Sequence, residues 1–225
     1  MVSRDERPEE EEGARRAQVE RLHGIAVRLA ALAQSGLTYT RDAFEQERFA
    51  HARELATELF AAIGDQSAAD VHAALSLDSG YATPKVDVRG AVFDADERVL
   101  LMRERSDGLW SLPGGWLDAG DRPAAGVVKE VLEETGYGVE AVRLVGCWDR
   151  ATRGHRPLFP IGIVKLFFLC RATGEVRAPD ELETLEVGWF SVDALPPLSI
   201  GRVNEWELQR CLAHSRDPSL PAEFD

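Results

Sequence analysis

The sequence predicts an α/β sandwich preceded by a helical hairpin, on three observations. Apolar residues recur at helical spacing between Leu22 and Ile63. From Lys85 onward, strand-like runs separated by turn signals take over: "KVDVRGAVF", "RVLLMRE", "VRLVGCWD", "GIVKLFFLC" and "EVGWFSV". Only two helical segments interrupt or follow those runs, one opening near Pro123 and one near residues 202–214. That is too few for a regular strand–helix alternation, and no internal repeat is present.

A chain of 225 residues has room for one sizeable domain and a smaller module. Residues 1–13, with Pro8 and the run "EEEE", predict a disordered acidic tail. Leu22, Ile25, Ala26, Leu29, Leu32 and Ala33 then mark a first helix, expected to end near Gln34 where "QSGLTYT" breaks the pattern. A second helix opens around Asp42, where Asp42 and Glu45 resemble a capping box, and carries the stripe Ala52, Leu55, Ala56, Leu59, Phe60 and Ile63. This module, residues 14–63, buries too little surface to stand alone. It must pack on the rest of the chain or on another copy, and a homodimer is expected. Residues 64–83 read as a linker with room for one short helix, residues 84–215 as the main domain and residues 216–225 as a C-terminal tail.

Composition excludes several functions. With 44% hydrophobic and 29% charged residues, no run approaches the roughly 18 apolar residues of a membrane span. The acidic start has no apolar core, which predicts neither a secretory leader nor a transit peptide and a cytoplasmic location. Cys147, Cys170 and Cys211 are odd in number and widely spaced, as reduced packing residues would be. The five histidines, 23, 51, 72, 155 and 214, lack zinc-ligand spacing. A formal charge of −13 repels nucleic acid. A phosphate-ester substrate would need a local reversal of that field, which bound divalent cations supply.

The segment "GGWLDAGDRPAAGVVKEVLEETGYG" provides the means. On a helix, Glu130 and Glu134 share a face and Glu133 lies within about 100° of it. Val127, Val128, Val131, Leu132 and Thr135 occupy the other side. Like charges at i,i+4 repel by some tenths of a kcal/mol, and a hard cation such as Mg²⁺ or Mn²⁺, which prefers oxygen ligands, relieves them. Pro123 suits the first turn, Gly136 the C-terminal cap, and Gly114–Gly115 a close backbone approach. A solvated helix face is the competing reading.

These residues resemble the Nudix hydrolase signature. Gly115, Glu130, Val131, Glu133, Glu134 and Gly136 match it at the family's spacing, with Tyr137 in the last apolar place, Asp121 where the family has Glu and Lys129 where it usually has Arg. Five such Gly and Glu matches arise by chance on the order of 10⁻⁶ per starting position at ordinary residue usage, which sets coincidence aside. The resemblance implies a mixed-sheet α/β/α sandwich. It also implies a metal site formed by Glu130, Glu134, Glu133 and the carbonyl of Gly114, with Glu133 and Lys129 also counted in the catalytic set, and hydrolysis of a nucleoside diphosphate linked to another moiety. Lys129 would keep the charge of the family's Arg without its bidentate fork. Glu183 and Glu186 lie where many Nudix enzymes place a further glutamate, as base or ligand, although "DELETLE" is equally a charged loop.

"TPKVDVRGAVF", "LLMRERSDGLWSLPGGWLDAGD", "ETLEVGWFSVDALPPLS" and the hairpin "AQSGLTYTRDAFEQERFAHARELA" resemble a Nudix subgroup that includes CDP-choline pyrophosphatase, over roughly residues 20–214. CDP-choline is therefore the first expected substrate and ADP-ribose the second, with Trp148 or Tyr39 as a choline-facing aromatic or as core. Arg89 reads equally as a phosphate ligand or as the partner of an acid. Arg103 and Arg105 read as phosphate contacts or a solvated strand edge, Trp110 as packing beneath the signature helix in preference to a base platform, and His155 as part of a substrate loop or an ordinary loop histidine. The rivals are a nucleotide sensor without turnover and a scaffold acting through its hairpin.

Overall fold

The computed structural model describes residues 6–64, 66–76 and 78–225, the side chains of 6–10 excepted. The chain forms two compact units: the described residues up to Pro84 together with Pro157–Gly162, and Lys85–Arg156 together with Ile163–Asp225. Among the described residues no helix is long and apolar enough to cross a membrane.

The first unit contains α1 (Glu6–Tyr39), α2 (Ala43–Ile63) and α3 (Ala68–Ser76). Ala26, Ala30, Ala56, Phe60, Val71 and Leu75 form its buried core, the alanines allowing the helices to approach closely. Gly36 has the same effect, because a Cβ there would stand 2.5 Å from the ring of Phe49. Asp42 caps α2 by accepting a hydrogen bond from the Glu45 amide at 3.0 Å. Ile161 joins this core, and the His23 ring donates to the Phe159 carbonyl at 2.7 Å.

Three boundaries differ from expectation. The acidic segment is helical from Glu6, since Glu and Arg are good helix formers and one glycine at position 13 does not stop a helix; residues 1–5 of the expected tail lie outside the described residues. Helix α1 runs to Tyr39 rather than Gln34, with the Thr38 hydroxyl donating to the Gln34 carbonyl at 2.9 Å. Within residues 64–83, α3 is more than a connector, because its Val71 and Leu75 are core.

The second unit contains β1 (Lys85–Val92), β2 (Val99–Glu104), β3 (Trp110–Ser111), α4 (Pro123–Thr135), β4 (Tyr137–Asp149), β5 (Ile163–Val176), β6 (Thr184–Phe190), α5 (Glu205–Arg216) and β7 (Glu223–Phe224). A mixed sheet runs β1-β5-β4-β7 and an antiparallel one β3-β2-β6. In the first, β1 is parallel to β5, and β5 antiparallel to β4. Alternation along β1 divides the interior. Val88 and Val92 pack with Val127 and Val131 of α4, while Ala91 joins Trp148, Phe167 and the α5 residues Leu208 and Cys211. The arrangement is an α/β/α sandwich. Asn204 and Glu207 close α5 with a reciprocal capping box.

The expected C-terminal tail is a correction: β7 pairs in parallel with Gly146 and Cys147 of β4. The carboxylate of Glu223 fixes it, accepting from Arg210 Nε at 2.9 Å and facing His214 Nε2 at 3.2 Å. Local sequence carries no sign of a two-residue strand whose partners lie so far along the chain. The three cysteines are free.

Gly90 brings α4 onto β1, since a Cβ there would stand 2.5 Å from Val131 Cγ2 and 3.1 Å from Val127 Cγ2. Gly90→Ala should therefore destabilise the protein by about 1–3 kcal/mol through overpacking, and adding Val131→Ala should recover part of that loss. Urea denaturation of both variants checks this; a double mutant less stable than the sum of the single changes would contradict it.

Candidate active site

The site is built on the edge of β1 that β5 leaves open. Val88 donates to the Gly115 carbonyl at 2.8 Å, Gly90 to the Pro113 carbonyl at 2.9 Å, and Leu117 donates to the Val86 carbonyl at 2.9 Å. The glycine turn is thus stitched to β1 as an added strand. Gly114 has φ +136°, and any Cβ there would overlap the Val88 carbonyl oxygen, so only glycine fits. Helix α4 begins with Pro123 at its first turn and ends at Gly136, φ +77°, whose amide bonds the Leu132 carbonyl.

Between turn and helix lies one decisive contact: the Gly114 amide donates to Glu134 Oε2 at 2.6 Å. Glu134 is only 5% exposed. Burial pushes its carboxyl up to about 8, opposed by the Arg89 guanidinium and the Gly114 amide and reinforced by the charges of Glu104 and Glu130. Glu130, half-buried, is also raised by burial. Lys129 opposes that shift, Glu133 and Glu183 add to it, and Arg89 opposes it. Glu104, a residue the sequence reading passed over, is buried, raised by burial, and held by Arg202 Nε at 3.0 Å.

Among the described residues no three His, Cys, Asp or Glu side chains stand in a ready metal-binding group. The expected convergence of Glu130, Glu133 and Glu134 is therefore spread out: Glu133 is exposed, and its backbone carbonyl accepts from the Asp180 amide at 2.7 Å. The donor set nevertheless fits a hard divalent cation. Two carboxylates, Glu130 and Glu134, the first raising the pKa of the second, sit beside the glycine turn, and Arg89 is the buried cation that offsets both.

The remaining expected residues divide. Glu183 is exposed and within electrostatic reach of Glu130. Lys129 is exposed and paired with Asp118 Oδ2 at 3.1 Å, which raises its pKa. Glu186 pairs with Arg103 at 3.4 Å, and Arg105 donates to the Glu181 carbonyl at 3.0 Å. These contacts make the two arginines ties of β2 to β6 and its preceding loop.

Of the two readings of Arg89, phosphate ligand or partner of an acid, the structure shows the pairing with an acid. Arg89 is 4% exposed and forks onto Asp87, with Nε to Oδ1 at 3.0 Å and Nη2 to Oδ2 at 2.7 Å. Register explains the burial: the same face of β1 meets Lys165 of β5, whose Nζ donates to Asp87 Oδ1 at 2.6 Å. Lys165 is the second residue missed, and the signal was a single lysine inside the apolar run "GIVKLFF".

Trp110 packs edge-on against Phe190, ring centres 4.6 Å apart, in the core beside α5 rather than beneath α4. Trp148 is buried core, and its rim is filled from within by Arg153, whose guanidinium carbon lies 5.7 Å from the Trp148 ring and 4.7 Å from that of Trp206. No choline is needed to explain it. Tyr39 is exposed, in the other unit. His155 is buried, with Nδ1 2.7 Å from the Ile200 carbonyl and Nε2 2.8 Å from Glu207 Oε1, a structural pair rather than a substrate contact.

Residues 83–208 match the model of the NUDIX domain, and residues 20–75 match that of the UDP-X-like, N-terminal oligomerisation domain. The chain belongs to the Nudix hydrolase family. It is 38% identical over 203 residues to the "Putative ADP-ribose pyrophosphatase YjhB" of Bacillus subtilis strain 168, covering 89% of this chain and 95% of that protein. The crystal structure of a UDP-X diphosphatase superposes with a TM-score of 0.57 at 28% identity, over 92% of this chain and 99% of its own. That of an ADP-ribose pyrophosphatase from Streptococcus suis 89-1591 gives 0.57 at 43% identity, over 64% of this chain and 100% of its own. This Nudix hydrolase is thus a pyrophosphohydrolase by family, and hydrolases of the family generally require divalent cations.

Glu134 makes the stability of the metal-free Nudix hydrolase depend on pH with a definite sign. Its folded-state value, about 8, lies above the ordinary 4.5, so between these values the folded protein holds the proton more tightly than the unfolded chain. Stability therefore falls as pH rises through that window, with a contribution of up to about 1.4 kcal/mol per pH unit. Urea denaturation with chelator at pH 5 to 8 should show a shallower fall in Glu134→Gln, and equal slopes in the two proteins would contradict the assignment.

Proposed function

We propose that the enzyme hydrolyses a nucleoside diphosphate linked to another moiety, at the P–O–P bridge, to a nucleoside monophosphate and a phosphorylated product. The observation that carries this reading is the pairing of Glu134 with the Gly114 amide beside Glu130. Glu130, Glu134 and the Gly114 carbonyl would hold Mg²⁺ or Mn²⁺, which offsets phosphate charge and lowers the pKa of the attacking water. The chain's own residues do the rest. The Gly114 amide orients Glu134, and burial leaves that carboxylate little freedom. Glu133 and Glu183, both exposed and both acting electrostatically on Glu130, are the candidates for collecting the proton. Glu186 is the less suited, being paired with Arg103, and Lys129 with its Asp118 partner steadies the outer surface of α4. A cytoplasmic location accords with three free cysteines, and no role in binding nucleic acid is assigned at a charge of −13.

Two substrates are in view. The N-terminal match to a UDP-X-like domain and the full-length likeness to a UDP-X diphosphatase favour pyrimidine nucleotides such as CDP-choline. ADP-ribose is the second, on the names of two relatives. A panel of CDP-choline, a UDP-sugar and ADP-ribose with Mg²⁺ or Mn²⁺, with products identified by mass, should give the best pyrimidine substrate at least tenfold higher kcat/KM than ADP-ribose. The reverse order would overturn the substrate and leave the class standing. Glu130→Gln and Glu134→Gln serve as controls and should reduce turnover by orders of magnitude.

The match of residues 20–75 to an oligomerisation domain, together with exposed Leu32, Phe44 and Leu55 on α1 and α2, supports a homodimer formed through this module. Light scattering should give twice the chain mass, and a value near one chain mass at assay concentration would exclude it.

A further inference from the structure

We propose that Asp87, Arg89 and Lys165 form a buried clamp that sets the position of the glycine turn, making Arg89 a positioning residue for the Glu130–Glu134 platform rather than a ligand of substrate phosphate. This rests on reading that platform as the cation site.

Asp87, Arg89 and Lys165 are 6%, 4% and 1% exposed. They carry two positive charges against one negative. Buried ions bear a desolvation penalty of several kcal/mol each, and apolar side chains of similar volume often serve stability as well or better. A purely structural account therefore leaves their charge without a purpose. Their geometry supplies one. Lys165 Nζ and Arg89 Nε both donate to Asp87 Oδ1, at 2.6 and 3.0 Å, and Arg89 Nη2 donates to Oδ2 at 2.7 Å, so the carboxylate is held from both sides and the guanidinium plane is fixed.

The remaining arm of that guanidinium reaches the approach to the turn. Nη1 donates to the Leu112 carbonyl at 3.1 Å and to Ser111 Oγ at 3.3 Å. Leu112 stands two residues before Gly114. The backbone bonds from Val88 to Gly115 and from Gly90 to Pro113 hold the turn along the β1 edge, and Arg89 holds its incoming strand by side chain. A shift of this segment moves the Gly114 amide and carbonyl together, and with the amide goes the partner of Glu134. Lysine at position 89 could keep the charge but could not fork onto Asp87 and reach Leu112 at once. All of Arg89's nitrogens are engaged within the protein, which leaves phosphate no obvious arm to bind.

The two roles separate on a measurement made without substrate. Mn²⁺ binding to the full-length protein is titrated by electron paramagnetic resonance in wild type, Arg89→Lys, Asp87→Asn and Glu134→Gln, with folding checked by circular dichroism. The clamp predicts that Arg89→Lys and Asp87→Asn each weaken Mn²⁺ binding by about 10–100-fold, as loss of a group that orients a metal ligand does. It also predicts that kcat falls while KM for substrate changes little. A phosphate-ligand role predicts unchanged Mn²⁺ affinity and a raised KM in Arg89→Lys, and that result overturns the clamp. Should Arg89→Lys fail to fold, Asp87→Asn decides, since a folded Asp87→Asn protein with wild-type Mn²⁺ affinity also overturns it. Glu134→Gln tells the two failures apart: if it too leaves Mn²⁺ binding unchanged, the cation site itself is misplaced, whereas weakened binding in Glu134→Gln alone refutes only the clamp.

Discussion

The structure of the site depends on a hydrogen bond between a backbone amide and a buried carboxylate, Gly114 to Glu134. Glu134 stands in the last turn of α4, so its carboxylate is directed by the whole packing of that helix on β1. Gly114 stands in a turn whose conformation only glycine adopts, pressed against the β1 backbone. The bond is where these two placements meet. It also accounts for the electrostatics: a carboxyl buried this deeply would be neutral at physiological pH unless something nearby favoured its charge. The amide and Arg89 do so in part, and a divalent cation would complete the compensation.

Much of this was legible in the residues. The 3.6-residue period of Val127, Val131 and Thr135 against Glu130 and Glu134 defined the helix and both its faces, and Pro123 and Gly136 marked its ends, because these signals are local. Glycine at position 114 announced a close approach for the same reason. What stayed hidden is set by partners far along the chain. Arg89 turns inward because β5, more than seventy residues later, brings Lys165 against Asp87. Glu104 is buried because Arg202 from the segment before α5 covers it. The two-residue strand β7 exists only as a pairing with β4. At the N-terminus the difference is of another kind: acidic composition suggests disorder, yet glutamates and arginines favour a helix once the following turns are fixed on α2.

Charge organises the function at two scales. The chain as a whole is acidic, with a formal charge of −13, which disfavours polyanions. At the platform the acidity becomes local: the charges of Glu133 and Glu183 raise the pKa of Glu130, those of Glu104 and Glu130 raise that of Glu134, and Glu183 adds to the rise at Glu104. An anionic diphosphate meets such a surface productively only through cations, so the protein's repulsion and its cation affinity have one origin. Selectivity among diphosphates must come from beyond this surface, since the substrates share the group it recognises. Trp116, half exposed and directly following Gly115, is the large aromatic nearest in sequence to the turn.

Whether Glu130, Glu134 and the Gly114 backbone form a divalent-cation site is decided by crystals of the protein soaked in Mn²⁺ and measured for anomalous scattering. An anomalous peak is expected in coordination contact with both carboxylates and the Gly114 carbonyl oxygen. A well-occupied peak elsewhere, with the region between α4 and the glycine turn empty at saturating Mn²⁺, would contradict it.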